Sequence, residues 1–409
     1  MKQIIKESIK NIIGANNIRI IRELINKENR KKIAKASIKE YEKDSFPFGI
    51  NLIGSFTQDS GLGQSCRLLA KLIEKADIPH NFIDFVLVES LRGTNEEYKD
   101  ALSDEYKYGI NVFHINMHEF DRAFKRIGQE NFDKHYNIAY WLWEMQEFPE
   151  EWVVLINLLD EIWTPSEFVS EAIRKVTDKP VYTIPYLLEA PCDDKYDRAY
   201  FNLPEDKFLF LMLFDSNSIS ERKNPIGTIQ AFKNAFGEDK DNVGLVIKIG
   251  NVHDKELNVL QKELEGYHAY FINDNLSKIE VNSLIKCVDV YVSLHRCEGY
   301  GLVLSEAMLL KTPTIATNYS SNTEFQDESN SCLVNYELIK VGKDIYPYKK
   351  DYLWAEPNIE EASRYMKKLY EDKDFYNSLV EALGRWQEKD IQGHKAQEMI
   401  NERYIKIIE

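Results

Sequence analysis

The chain has 409 residues, more than one hydrophobic core usually holds, so two domains are expected. Its hydrophobic content of 44% and aromatic content of 12% are ordinary for a globular protein. The net charge of −15 is unevenly distributed: residues 1–39 contain eleven Lys/Arg and three acids, a net of +8, which leaves −23 for the remainder. A chain that is so acidic outside its N-terminus is a poor candidate for nucleic-acid binding.

The five cysteines are isolated from one another, which argues against a zinc site and favours a reducing cytosol. They are Cys66, Cys192, Cys287, Cys297 and Cys332. No apolar run reaches the length of a transmembrane helix, and the N-terminus lacks the continuous apolar core of a signal peptide. We therefore expect a cytoplasmic protein that binds no metal.

Residues 1–47 are predicted to form a basic, amphipathic helical extension. Isoleucines recur on one helical stripe between residues 5 and 13, with lysines along its flank, and a basic cluster follows near residue 30. Such a helix can lie on an anionic membrane, which would place the protein peripherally on the inner face of the cell membrane. The alternative is a helix that packs on the adjacent domain and exposes its lysines to solvent.

The first core strand is predicted at Gly49–Gly54, followed by a glycine-containing loop and a helix from about Gln64. Strand, loop and helix in this order open a Rossmann-like half, although the loop lacks the third glycine of a dinucleotide-binding motif. Gly61 and Gly63 would let the backbone approach a ligand phosphate closely.

A second strand at Ile110–Ile115 ends in a polar cluster that contains His114, Asn116 and His118. Open α/β sheets place function at such strand ends. A lone histidine is more often structural than catalytic, but the crowding of three polar residues at one strand end keeps both interpretations open.

Three further strands complete the first half, and a charged, proline-containing segment at residues 189–200 is typical of an interdomain linker. The strands are predicted at Asn137–Trp143, Glu161–Thr164 and Val181–Ile184. Their aromatic residues alternate along the chain, which favours the core over a sugar-stacking surface.

The pattern restarts with a buried strand at Phe208–Phe214 and a helix that begins near Pro225. Arg222 and Lys223 stand just before this helix. A guanidinium and an ammonium side by side suit a diphosphate, since arginine binds it bidentately and lysine adds a point charge. Two solvated surface cations would give the same pattern.

The stretch YVSLHRCEGYGLVLSEAM, residues 291–308, reads as a buried strand, a glycine turn and a helix. Glu298 on the turn and Glu306 in the helix can face the same ligand. The turn presents free N–H groups that suit phosphate, and the carboxylates suit sugar or ribose hydroxyls. The alternative is a strand–helix corner whose acids are a cap and a solvated face.

Together these segments resemble retaining glycosyltransferases of family 4, which have the GT-B fold. HRCEGYGLVLSEAM resembles the family's E-x7-E signature, SERKNP its Arg–Lys element, SGLG its glycine loop and NDNLSKIEVNSL its base-contacting segment. The segment YNIAYWLWEMQEFPEEWVVLINLLDEIWTPSEFV resembles a bacterial subgroup. The resemblance covers about residues 48–390.

The resemblance implies roles for individual residues. Glu306 would bind the ribose, Glu298 the donor sugar, and Arg222 with Lys223 the leaving diphosphate. Backbone around Gly301, Leu302 and Gly63 would assist, and Asn275 with Leu276 would contact the base. Ser320 and Ser321 replace the family's usual glycine pair. Asn116 replaces the second histidine of an H-x-H pair, so the acceptor-side residue is either Asn116 or His118.

The predicted architecture is α/β: two Rossmann-like domains that face each other across a cleft, with an N-terminal helical extension. The domains are residues 48–195 on the acceptor side and 196–385 on the nucleotide-sugar side, followed by a helical tail, 386–409, that returns to the first domain.

The implied activity is transfer of a sugar from a nucleotide-diphosphate-sugar donor to a hydroxyl of a glycan, glycolipid or glycoprotein intermediate, of bacterial surface polysaccharide type, with retention and without a cofactor or metal. The alternatives are a GT-B nucleotide-sugar epimerase and a non-catalytic, membrane-docked nucleotide-sugar-binding subunit.

Overall fold

Two parallel six-stranded sheets carry the two halves of the chain. The structure, a computed structural model, describes residues 28–33, 35–87, 93, 95–216, 218–237, 241–388 and 391–409. Strands that are buried on both faces read as nearly continuous apolar runs, and this is why Phe208–Phe214 could be recognised from its sequence.

The first sheet has the order β2-β1-β3-β4-β5-β6, and all neighbouring strands are parallel. Its strands are β1 (Ile50–Gly54), β2 (His80–Asp84), β3 (Ile110–His114), β4 (Tyr136–Tyr140), β5 (Glu161–Thr164) and β6 (Val181–Thr183). The helices of this half are α1 (Gly61–Lys75), α2 (Met117–Ile127), α3 (Glu150–Val153) and α4 (Glu167–Arg174). The polar edge strand β2 was not predicted, because its sequence HNFID has no apolar run.

The second sheet has the order β12-β11-β10-β7-β8-β9 and is also parallel. Its strands are β7 (Phe208–Asp215), β8 (Val243–Gly250), β9 (Ala269–Ile272), β10 (Val290–Ser293), β11 (Thr314–Thr317) and β12 (Cys332–Val334). Five helices connect them: α5 (Ser220–Lys223), α6 (Pro225–Phe236), α7 (Asp254–Glu263), α8 (Lys278–Cys287) and α9 (Leu302–Leu309). Short 3₁₀ segments occur at Lys99–Ala101, Gln129–Asn131, Val154–Leu158 and Ser321–Glu324.

The helices of the second half cover opposite faces of its sheet. Apolar side chains of α6 and α7 pack on one face, in a cluster that includes Phe232 and Leu260. Side chains of α8 and α9 pack on the other face, in a cluster that includes Leu284 and Met308. Loops at the carboxyl ends of the strands are therefore flanked by helices on both sides, as in other open α/β sheets.

A hairpin and three helices complete the chain. The antiparallel strands β13 (Tyr336–Lys340) and β14 (Leu353–Pro357) were not predicted, since all five residues of β13 are exposed and show no buried face. The helices are α10 (Ile359–Glu371), α11 (Lys373–Glu388) and α12 (Ile391–Ile408). Helix α12 lies on the first half, where Arg403 donates to both carboxylate oxygens of the fully buried Glu161.

Residues 28–33 are helical and pack on the first half. Ile33 is buried, and the guanidinium of Arg30 lies 3.8 Å from the Asp121 carboxylate and donates to the Glu151 carbonyl. The predicted isoleucine stripe and the rest of the basic extension, residues 1–27, lie outside the described residues. Within the described part of the chain, no helix is both long and apolar enough to cross a membrane.

Candidate active site

Arg222, Lys223 and Glu298 form one cluster at the carboxyl end of the second sheet. Helix α5 follows β7 and presents both cations, while Glu298 lies on the loop after β10, 75 positions away. The Glu298 Oε1 atom is 3.1 Å from Arg222 Nη1 and also accepts a hydrogen bond from Lys223 Nζ. Arg222 and Glu298 are buried, so neither is an ordinary solvated surface charge.

The two cations control the ionisation of Glu298. Burial alone would raise the pKa of this carboxyl group, but the nearby Lys223 and Arg222 outweigh burial and lower the pKa to about 2. Burial lowers the pKa of Lys223, an effect that Glu298 opposes. Glu298 is therefore a carboxylate at neutral pH, and in the absence of ligand it is the counter-ion of both cations.

Both halves of the chain hold the loop that carries Glu298. The Glu298 N–H donates to Ser320 Oγ (2.9 Å), and Ser321 Oγ donates to the Glu298 carbonyl (2.8 Å). From the first half, Ser166 Oγ donates to the Gly299 carbonyl (2.8 Å). A Cβ at Gly299 would lie 2.7 Å from the Trp143 carbonyl oxygen, so only glycine allows this close approach. The two serines that replace a glycine pair thus position the loop.

Glu306 is placed on the buried side of α9, one turn after the helix begins. Its side chain is 1% exposed, and its Oε2 is 2.5 Å from Lys278 Nζ. Despite this short contact, neither carboxylate oxygen has a hydrogen-bond partner of good geometry among the described residues. Burial raises the pKa of Glu306, and Lys278 opposes that effect. A buried carboxylate with free acceptor capacity can accept hydrogen bonds from ligand hydroxyls.

Lys278 was missed by the sequence interpretation, although it lies in the predicted base-contacting segment. It is the first residue of α8, directly after the capping residue Ser277. The neighbouring Asn275 is exposed and Leu276 is half-buried. Only the fold reveals that Lys278 faces Glu306, because the two residues are brought together by different helices.

The turn before α9 presents the expected backbone groups. Gly301 has a φ of +90°, which favours glycine, and precedes the helix. Leu302 is the first residue of α9, so its N–H lies in the first turn, where helical donors lack intrahelical partners. These groups lie between Glu298 and Glu306 in sequence, in the turn that was predicted to bind phosphate.

The glycine loop of the first half is less open than its sequence indicates. Helix α1 begins at Gly61 rather than near Gln64, because Ser60 caps it and accepts a hydrogen bond from the Gly63 N–H (3.2 Å). Gly63 also closely approaches the Gln58 carbonyl, so a Cβ would collide there. Its amide is thus already engaged, whereas Gly61 is exposed at the helix N-terminus.

The polar residues at the carboxyl end of β3 have different environments. Asn116 precedes α2, and its Oδ1 accepts a hydrogen bond from the Leu142 N–H (3.1 Å). His114 is buried and its Nε2 is 2.6 Å from Ser65 Oγ, which makes it a core residue. His118 is half-buried next to Trp152, and burial lowers its pKa against the opposing charges of Glu119 and Glu144.

A contact across the cleft was not identified from the sequence. The Tyr348 hydroxyl, on the hairpin of the second half, donates to Glu144 Oε2 (3.0 Å) after β4. The Tyr348 ring packs edge-on against Trp143 at 5.6 Å. Glu144 also contributes to the electrostatic field at Arg222. The first half therefore places a carboxylate opposite the cation cluster.

Comparison with known proteins agrees with this architecture. Residues 193–386 match the family described as glycosyl transferases group 1. Among solved structures, sucrose-phosphate synthase from Thermosynechococcus elongatus is similar with a TM-score of 0.61 and 14% identity, over 88% of this chain and 99% of that one. Anabaena HepE in complex with UDP and glucose has a TM-score of 0.59 and 12% identity, over 87% of this chain and 99% of that one.

A third structure, the pneumococcal O-GlcNAc transferase GtfA in complex with UDP and GlcNAc, has a TM-score of 0.52 and 13% identity, over 73% of this chain and 57% of that one. No curated protein matches the chain. At these identities the structures show the fold alone. The chain has the GT-B fold, and residues 193–386 are similar to the glycosyl transferases of group 1.

Proposed function

We propose that the protein is a glycosyltransferase that moves a sugar from a nucleotide-diphosphate donor to an acceptor hydroxyl with retention of configuration. The observation that carries this proposal is the buried cluster of Arg222, Lys223 and Glu298 close to the phosphate-binding turn that leads to Glu306. The two cations match the diphosphate, and Glu306 has the acceptor capacity that ribose hydroxyls require.

The ion pairs support a specific order of events. The Glu298 carboxylate forms ion pairs with both cations, so an incoming diphosphate must replace the carboxylate as their partner. Glu298 is then released to accept hydrogen bonds from the donor sugar. Because Lys223 and Arg222 lower its pKa to about 2 in the ion-paired state, Glu298 enters this exchange as a carboxylate, and this suits electrostatic stabilisation rather than proton donation.

In the proposed reaction, the bond between the anomeric carbon and the diphosphate oxygen breaks while the acceptor oxygen bonds to the same face of the sugar. The proton of the acceptor hydroxyl passes to the departing phosphate oxygen. Arg222 and Lys223 stabilise the negative charge that develops on this diphosphate. On the acceptor side we assign His118 rather than Asn116, since the Asn116 side-chain oxygen is already engaged by the Leu142 N–H.

Uracil is the first base to test, since two of the similar structures contain UDP with glucose or GlcNAc. As acceptor we propose a glycan or a lipid-linked glycan of a bacterial surface polysaccharide.

The test is a thermal-shift series with UDP, GDP, dTDP and their sugars, because a ligand at a hundred times its Kd stabilises the native state by about 2.7 kcal/mol. Acceptor-dependent release of the nucleotide, with a product of unchanged anomeric configuration by NMR, is the expected result. A change of sugar stereochemistry without any acceptor would instead indicate an epimerase, and binding without turnover a non-catalytic subunit.

Glu306→Ala is expected to weaken binding of the free nucleoside diphosphate about tenfold or more, because the ribose loses its carboxylate partner. Removing this buried acid also relieves its own desolvation, so the variant should remain folded. Calorimetry with UDP and with inorganic pyrophosphate checks the assignment. The loss should appear with UDP and be small with pyrophosphate, which has no ribose; equal losses for both would assign Glu306 to the phosphates instead.

Residues 1–39 are expected to bind anionic vesicles, because they combine an isoleucine stripe with a net charge of +8. Each basic residue near such a surface contributes about 1 kcal/mol, and salt screens the attraction. Arg30 is expected to contribute little, since it is engaged with Asp121. Co-sedimentation with vesicles of anionic or neutral lipid, for the full chain and for a variant with the lysines of residues 1–27 changed to glutamine, measures the effect. Equal binding to anionic and neutral vesicles would contradict the prediction.

A further inference from the structure

The outer strand of the hairpin, β13, is an exposed sheet edge. All five of its residues are exposed, and three of them, Tyr336, Leu338 and Ile339, have large hydrophobic side chains. An exposed, apolar edge strand is a template with which another strand can pair. β13 contains neither proline nor glycine, and its register with β14 is continuous, so it lacks the features that usually prevent such pairing.

The register of the hairpin identifies the free backbone groups of this edge. In an antiparallel pair, alternate residues exchange hydrogen bonds with the neighbouring strand, and the residues between them point away from it. The Val341 N–H donates to the Tyr352 carbonyl (2.9 Å), in the same register as β13 and β14, so the odd-numbered residues bond to β14. The outward N–H and C=O groups, to which no described residue bonds, belong to Tyr336, Leu338 and Lys340.

A backbone ladder holds the edge in place. The Ala355 N–H of β14 donates to the Arg296 carbonyl (2.9 Å), and the Arg296 N–H donates to the Arg222 carbonyl (2.7 Å). The Arg296 guanidinium also donates to both carboxylate oxygens of Glu356 on β14 (2.6 and 2.8 Å). β13 is therefore the last strand of an anchored ladder, and this preorganisation lowers the entropy that is lost when another strand pairs with it.

A second copy of the chain fits this edge about a two-fold axis at Leu338. When Leu338 lies opposite the partner's Leu338, Tyr336 lies opposite the partner's Lys340, and every outward N–H and C=O group of both strands is paired. Two-fold registers centred on Glu337 or on Ile339 leave one outward residue of each copy without a partner on the other strand. The register centred on Leu338 therefore forms the most hydrogen bonds.

The side chains are compatible with the same register. Glu337 lies opposite the partner's Ile339, so neither charged residue of β13 meets its own kind, whereas a register centred on Glu337 would oppose two carboxylates. The exposed ion pair of Lys340 with Asp351 is worth little, so the stem of Lys340 can cover the ring of the partner's Tyr336.

We propose that β13 pairs with β13 of a second copy, antiparallel and about Leu338, to form a two-fold dimer with a continuous sheet across the interface. A closed two-fold pair leaves no free edge on β13 for further copies. Two such short strands bury less than the roughly 1,200 Å² of a stable standard-size interface, so dimerisation should depend on protein concentration. The edge lies outside the residues that the proposed function uses, and the proposal does not rest on that function.

Sedimentation equilibrium of the full-length protein measures this association. The wild type is expected to change from monomer to dimer as its concentration rises. Leu338→Lys and Leu338→Glu each place like charges opposite one another at the two-fold axis, so each should weaken dimerisation about tenfold or more. Leu338 is 44% exposed, so both variants should remain folded, with nearly the melting temperature of the wild type. The matched control Ile405→Lys, also exposed but on α12, should dimerise like the wild type.

An equimolar mixture of Leu338→Lys and Leu338→Glu tests the register itself, because opposite charges then face each other at the axis. The mixture should form dimers at least as readily as the wild type. A mixture that stays as monomeric as each variant alone would overturn the register, and variants that dimerise like the wild type would overturn the use of β13. A wild type that stays monomeric at its highest soluble concentration would overturn the dimer and leave the edge to an extended segment of another protein.

Discussion

Arg222→Lys and Lys223→Ala are expected to reduce sugar transfer by about a hundredfold or more while the protein stays folded. If both cations bind the leaving diphosphate, their contacts strengthen as charge develops in the transition state, so turnover suffers more than donor binding. Losing one such donor commonly costs about 3 kcal/mol. Lysine at position 222 keeps the charge that balances Glu298, but it cannot reproduce the planar fork of the guanidinium.

Surface cations of the same half are the matched controls. Lys233→Ala, on α6, removes a partly exposed lysine whose ion pair with Glu263 is worth little, so stability should change by less than about 1 kcal/mol and transfer should not change. Initial rates at saturating donor, with pyrophosphate affinity measured in parallel, separate turnover from binding. A near-normal rate for either active-site variant would remove that residue from the site.

The strands that could be predicted from the sequence are those with a continuous apolar run. Ile110–His114 is buried along its whole length and Phe208–Asp215 along most of it, so their apolar sequences reflect their buried environment. The edge strand His80–Asp84 and the exposed hairpin strand Tyr336–Lys340 have no such run, and only tertiary pairing makes them strands.

In the candidate site, too, some features could be predicted from the sequence and others could not. The motifs predicted Glu298, Glu306, Arg222 and Lys223 as site residues, because these residues stand at recognisable places beside glycine turns and helix starts. Spacing could not show that Glu298 pairs with both cations, since that contact joins loops 75 positions apart. The contact of Lys278 with Glu306 and that of Tyr348 with Glu144 could not be predicted for the same reason.

Gly63 shows how a local hydrogen bond can change an expectation that was taken from a motif. Its place in a glycine loop predicts an amide that is free for a phosphate. In the structure that N–H instead donates a hydrogen bond to the Ser60 hydroxyl, which caps α1. Local hydrogen bonding of a serine three residues earlier competes for the same donor, and this competition could be anticipated from the capping preference of serine.

Glu298→Gln is expected to lower turnover severely and yet to strengthen binding of inorganic pyrophosphate. The family resemblance assigns Glu298 to the donor sugar, and that assignment by itself would leave diphosphate affinity nearly unchanged. The ion pairs change that expectation: the carboxylate competes with the incoming diphosphate for Arg222 and Lys223, and a neutral amide competes less well. Breaking a buried ion pair on one side costs about 3–5 kcal/mol, so the free variant should also be less stable and should regain stability when pyrophosphate binds.

The pH dependence of stability distinguishes this role from simple loss of packing. Glu298 has a lowered folded-state pKa of about 2, so its stabilising contribution is present above its unfolded pKa of 4.5 and disappears as the pH falls towards 2. The difference in unfolding free energy between wild type and Glu298→Gln should therefore be largest near neutral pH and shrink in acid. The control Glu151→Gln removes a partly exposed carboxylate paired with Lys349. It should change pyrophosphate affinity little, and its stability difference from wild type should depend little on pH. Weaker pyrophosphate binding by Glu298→Gln in calorimetry would show that the carboxylate helps the cations to bind the diphosphate, and would reject the proposed exchange of partners.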